Sequence, residues 1–180
     1  VMNQADEIIG HNSDRFDEKW IRTRCIYHRI QAMPKYKSLD TLKKAKFGFN
    51  FNSNKLDYIA KFLGVGAKVE HSGFDMWKGV MNNDEKALQE MVTYGNGDVV
   101  VLKDVYYAMQ SYIKQNSHVG VFNNKMKFSC PICGNEEVEL YKNEVTTLGT
   151  IKRIMYCNRD NHYYTVSNSA YMNMLKFRGI

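Results

Sequence analysis

The chain has 180 residues, 44% of them hydrophobic and 24% charged, with a formal net charge of +6 at pH 7. That length buries one core plus a small appendage, the composition excludes a disordered or fibrous chain, and the mild positive excess favours an anionic partner, nucleic acid being the commonest. No apolar run approaches a membrane span, no signal pattern opens the chain, and the four cysteines argue for a reducing compartment and a metal site rather than a disulfide scaffold.

Glu7 to Gly10 reads as a short strand that breaks into the Gly10-His11-Asn12 loop. From Asp14 to Ile30, Phe16, Trp20, Ile21, Cys25 and His28 recur at helical spacing with arginines between them. Asp17 therefore stands in the first turn of a helix just past a strand end, the junction where open α/β sheets carry their chemistry. Taken alone, it does no more than complement the helix dipole. Pro34 ends that helix, and Tyr36 to Leu42 reads as a second short strand. Lys43, Lys44 and Lys46 follow as a solvated basic cluster that is also placed to steer phosphates. Ser53 reads as the N-cap of a helix bearing Leu56, Ile59, Ala60 and Leu63 on one face, closed by Gly64. The loop from Gly64 to Gly73 carries His71, whose plain reading is incidental. Asp75-Met76-Trp77 opens a further helical stretch, punctuated by Asn82-Asn83-Asp84.

If the stretch from Met91 to Tyr106 is helical, Tyr94 and Asp98 leave the same face at i and i+4. Leu102, Val105 and Met109 continue that stripe toward a core. A carboxylate on an apolar stripe is expensive to desolvate, and a bound cation is the usual compensation. An equally good reading makes Asp98 the N-cap of a helix beginning at Val99. A weaker one turns Asn96-Gly97-Asp98 into a hairpin before the β-branched Val99-Val100-Val101.

Asn116, Ser117, Gly120, Asn123 and Asn124 cluster between Gln115 and Lys125, so a boundary separates domains 1–119 and 120–180. Cys130-Pro131-Ile132-Cys133-Gly134 has the spacing of a metal knuckle, in which two thiolates meet one ion over a tight turn. Strand-like runs from Glu136 to Lys142 and from Thr150 to Tyr156 lead to Cys157 and then His162. Three thiolates and one imidazole make a closed structural Zn²⁺ site, which so small a β module needs for stability. Asp160 or His118 stand as substitutes for His162 as fourth ligand.

Gly10-His11-Asn12-x-x-x-Phe16-Asp17, Ser38-Leu39-Asp40-Thr41-Leu42, Ser53-Asn54-Lys55-Leu56-Asp57 and Tyr94-x-x-x-Asp98 occur in that order. Together they resemble the tyrosine-type DEDD superfamily of 3′–5′ exonucleases, a branch of the ribonuclease H fold. The nearest likeness is to phage-type members that carry a terminal zinc ribbon. The resemblance implies an α/β ribonuclease H-like exonuclease core followed by a small zinc-ribbon β module. It implies that Asp17 and Asp98 ligate a two-ion Mg²⁺ or Mn²⁺ site, that Tyr94 orients the attacking water, and that His11 and Asn12 touch substrate. The implied reaction is 3′–5′ hydrolysis of single-stranded DNA in the cytoplasm, the host's if the gene is a phage's.

This chain departs from the family's pattern in three places. The Asp-x-Glu motif of the first strand has no counterpart, since Asp6-Glu7 lacks the spacing. Gly95 and Gly97 weaken the third motif as a helix. Only two strands of the larger family sheet are visible. The remaining strands and carboxylates are therefore expected from an omitted N-terminal segment or a separate chain. The alternative class is a non-catalytic module that holds nucleic acid or a replication partner on an exonuclease-like scaffold.

Overall fold

Ile8 and Ile9 build β1 (Glu7–Gly10), which pairs in parallel with β2 (Lys37–Asp40), Gly10 lying opposite Asp40. A parallel pair needs a crossover, and α1 (Asp17–Tyr27) lies in it. The computed structural model describes residues 2–31, 35–67 and 70–180; Pro34, read above as a helix terminator, lies outside them. The chain is mixed α/β and divides into two compact units, Val1–Met109 and Gln110–Ile180, upstream of the Gln115–Lys125 segment.

In the first unit α1 is shorter than the apolar spacing suggests. Asn12 takes the left-handed conformation at φ 64°, and its carbonyl accepts the N–H groups of Arg15 and Phe16 at 3.3 and 3.1 Å. That turn delays the helix to Asp17. Strand β2 also ends sooner than Leu42, because the Asp40 carboxylate caps α2 (Thr41–Gly48), accepting the Leu42 N–H at 3.0 Å. Lys43, Lys44 and Lys46 ride on this helix. The next helix, α3 (Leu56–Leu63), buries Leu56, Ile59 and Ala60 and closes on Gly64 at φ 67°, a left-handed end that favours glycine. Its N-cap is Lys55 rather than Ser53; the Ser53 hydroxyl instead accepts the Lys55 N–H at 3.4 Å, a turn just outside the helix.

Helix α4 (Phe74–Met81) and α5 (Glu85–Met109) complete the unit, and α5 packs against both α3 and α4. It runs unbroken through Asn96-Gly97-Asp98, so neither the hairpin nor an N-cap at Asp98 is present. Burial of Val101, Val105, Tyr106 and Met109 at helical spacing accounts for this. Each buried aliphatic contributes about 1.5–3 kcal/mol, against roughly 1 kcal/mol lost per helical glycine. No helix among the described residues is long and apolar enough to cross a membrane.

In the second unit a short α6 (Val119–Phe122) precedes the antiparallel sheet β3 (Glu139–Val145), β4 (Ile151–Cys157) and β5 (His162–Ser167), in that order. Met155, Cys157, Tyr164 and Val166 alternate inward along β4 and β5, over a core that includes Phe128, Val138 and Met174. Past Tyr156 the sequence pattern marks no further element, and there β5 and α7 (Asn168–Phe177) complete the unit. The Ser167 hydroxyl caps α7 by accepting the Ala170 N–H at 3.2 Å.

Candidate functional site

The carboxyl ends of β1 and β2 are tied together by a polar network. Asp40 accepts the Asn12 N–H at 2.8 Å and the Asp14 N–H at 3.4 Å, so one buried carboxylate caps α2 and shapes the loop after β1. The Thr41 hydroxyl donates to the Gly10 carbonyl at 2.9 Å, and His11 Nδ1 meets the same hydroxyl at 2.9 Å. His11 Nε2 faces the Asn54 carbonyl at 3.0 Å, where it must donate. Both ring nitrogens are thus engaged in holding the loop. His11, Asn12, Leu42, Lys46, Asn54 and Lys55 line an open cleft of about 690 Å³. Oδ1 of Asn54 is buried with no hydrogen-bond partner among the described residues.

Asp14 bonds the Ser38 hydroxyl and the Lys43 ammonium, the latter at 2.5 Å. Burial pushes its carboxyl up, but Lys43 and Ser38 outweigh burial and hold it below the usual carboxylate range. The same contact holds Lys43 above its ordinary value. Asp17 opens α1 with its side chain exposed. Its neighbour Glu18, which sequence reasoning passed over, is only 6% exposed; Arg22 pairs with Oε2 at 2.8 Å, while Oε1 is buried without a partner among the described residues. Nothing in a helix-start pattern announces that burial.

On α5, Tyr94 and Asp98 are half-buried one turn apart, and Oδ1 of Asp98 is fully buried. The Tyr94 ring packs against His71 with centroids 4.4 Å apart. The His71 loop is clasped to the same helix. Ser72 donates its N–H and hydroxyl to Glu90 at 2.5 and 2.9 Å, which keeps the Glu90 carboxyl below its ordinary value. His71 is therefore placed against a candidate catalytic residue, a relation its position in the sequence does not disclose.

In the second unit the donor atoms of Cys130, Cys133, Cys157 and Asp160 all lie within 4.8 Å of one another. This is the only group of three or more such side chains gathered so closely among the described residues. Tetrahedral zinc with bonds of about 2.3 Å to sulfur sets two sulfurs roughly 3.8 Å apart. Cys133 and Cys157 stand at 3.8 Å, and Asp160 Oδ2 lies 3.3 and 3.9 Å from Cys130 and Cys157. The donor set therefore fits a tetrahedral ion. The knuckle is closed by the Gly134 N–H donating to the Cys130 carbonyl at 2.9 Å, with Gly134 at φ 72°. Burial, foremost, and the neighbouring Asp160 push the Cys133 thiol up to about 11, and burial raises Cys130 further.

The fourth member of this group is Asp160, not His162. Cys157-Asn158-Arg159-Asp160 repeats the spacing of Cys130-Pro131-Ile132-Cys133, and the β4–β5 turn folds its carboxylate back onto the thiols. His162 instead pairs with Cys157 in the β4–β5 ladder and donates Nδ1–H to the Ser111 carbonyl at 2.8 Å. His118 accepts the Val121 N–H at 3.2 Å as the N-cap of α6. Burial holds its imidazole below the ordinary value.

A family model described as RNase_H_2, of the RNase_H superfamily, matches residues 1–110. No curated protein and no solved structure matches the chain.

Proposed function

The chain belongs to the RNase H superfamily, and from that premise we propose that it is a metal-dependent 3′–5′ exonuclease acting on single-stranded DNA. The observation that carries this reading is the Tyr94–Asp98 pair, one turn apart on α5 within the matched segment, with Oδ1 of Asp98 buried. Asp17, on the first turn after β1, supplies a second hard oxygen donor of the kind Mg²⁺ and Mn²⁺ prefer. Two such ions, when bound, supply the hydroxide nucleophile and neutralise the leaving 3′ oxygen.

The roles of the chain's own residues follow. Asp17 and Asp98 hold the ions, and Tyr94 orients the attacking water. Lys46 and Lys55 at the cleft attract the phosphate backbone. His11 and Asn12 shape the loop that meets the substrate. Two further carboxylates come from strands outside these residues. Phe16, Trp20 and Ile26 on and beside α1 are 58, 56 and 79% exposed, an apolar surface of the kind that additional strands cover. We assign the Cys130, Cys133, Cys157 and Asp160 group to a structural Zn²⁺.

The test is Mn²⁺-dependent degradation of 5′-labelled single-stranded DNA, with and without an upstream segment carrying Asp-x-Glu. The chain alone is expected to be inactive or very weak, and the added segment to give activity that Asp98→Ala abolishes. Activity that survives Asp98→Ala sinks the proposal. The non-catalytic module is favoured instead if no such segment confers activity while DNA still binds.

A further inference from the structure

The open face of the second unit's sheet presents an aromatic group that the exonuclease reading does not use. Along β4, Met155 and Cys157 are fully buried, so Lys152, Ile154 and Tyr156 point to the opposite face. Tyr156 pairs in register with Tyr163 on β5, and Ile154 with Thr165. A bulge between Leu140 and Lys142 leaves Tyr141 without a rung partner on β3. Its ring meets Tyr163 edge-on, with centroids 4.8 Å apart, and Tyr163 meets Tyr156 at 4.8 Å as well. Tyr141 remains 60% and Tyr163 50% exposed. Three rings hold one another in place while keeping much of their surface in water.

We infer that Tyr141, Tyr156 and Tyr163 form a stacking platform for single-stranded DNA. Preorganised rings on a sheet face can stack on successive bases whatever the sequence. Charge agrees with this occupant: from Gln110 to Ile180, nine lysines and arginines stand against five aspartates and glutamates. On the platform itself Glu144 lies opposite Lys152 in the ladder, and the two cancel. Lys142 follows Tyr141 on β3, and Glu139, opposite Tyr156, opposes it. A protein partner seeking an apolar anchor would meet little aliphatic surface here, since Ile154 is half-buried and its neighbours are hydroxylated or charged. The choice of DNA over RNA rests on the proposed exonuclease reading; the platform does not.

The test is anisotropy of a labelled oligo-dT with the full chain, zinc retained and no Mg²⁺ or Mn²⁺ added. Tyr141→Ala and Tyr163→Ala are each expected to weaken binding roughly 5- to 100-fold. The corresponding Tyr→Phe changes are expected to keep affinity within about twofold, since the ring face is retained. Tyr112→Ala, at a position 76% exposed but off this sheet, leaves affinity unchanged. Glu139→Gln strengthens binding. Should an alanine variant unfold, amide-shift mapping of the unsubstituted protein serves, with changes expected to concentrate on β3, β4 and β5. Unchanged affinity in folded alanine variants or shifts elsewhere overturns the inference, and binding of RNA in preference to DNA overturns its choice of strand. Loss of binding in these variants without hydrolysis under any condition removes the exonuclease reading alone.

Discussion

Zinc binding to the second unit yields a prediction whose size follows from the structure. The unit spans Gln110–Ile180, so at about 2.1 cal/mol/K per residue its unfolding entropy is roughly 0.15 kcal/mol/K. Free zinc at a hundred times its dissociation constant adds about 2.7 kcal/mol to the folded form. The transition should therefore rise by ~10–20 °C between chelated and zinc-loaded protein, read by differential scanning calorimetry of the full chain. Each tenfold loss of affinity takes back about 1.4 kcal/mol, or roughly 9 °C of that gain. Cys133→Ser is expected to shrink the shift sharply, and Asp160→Ala by at least one such step. His162→Ala, at a residue outside the donor group, leaves most of it. A transition indifferent to zinc refutes the metal assignment. A shift lost in His162→Ala but kept in Asp160→Ala refutes the fourth donor.

Other outcomes can be checked separately. With the upstream carboxylates supplied, Tyr94→Phe should lower kcat more than it changes KM, because the phenol acts on the water rather than on ground-state binding. His71→Ala is expected to lower kcat in the same way but less, having removed only the ring that packs on Tyr94; an unchanged kcat refutes that role. Asp14, with its carboxyl held down in the fold, contributes stability that is complete above its unfolded value near ~4 and lost as pH falls through the folded one. Urea midpoints at pH 6 and pH 3 should thus differ less in Lys43→Ala than in the parent. Gly134→Ala forces a Cβ into the left-handed region at φ 72°, 3.1 Å from the Gly120 Cα, and should cost about 1–2 kcal/mol or more in denaturant melts.

The parts of the fold written in local patterns were readable before any coordinates. Glu7–Gly10 as a strand and Gly64 as a helix stop each depend on neighbours within one turn or one rung. What escaped depends on residues distant in the chain. The α5 helix continues through two glycines because α3 and α4 pack along it, and no local propensity records that. Strand β5 was missed because its inward residues, Tyr164 and Val166, have value only against a sheet and the helix that covers it. The cysteine trio was legible from its spacing and Asp160 stood among the alternatives for the fourth place; the hairpin turn that brings its carboxylate back to the thiols singles it out.

Gly95, exposed on α5 beside Tyr94, meets nothing within 4 Å, so no crowding forbids a side chain there. An alanine would stiffen the helix by up to about 1 kcal/mol. The turn that carries the phenol and the carboxylate is consequently the cheapest place for this long helix to open, and amide exchange should be fastest there among its packed turns. A rod whose loosest turn lies near its middle can adjust those two side chains without disturbing the packing of its two ends.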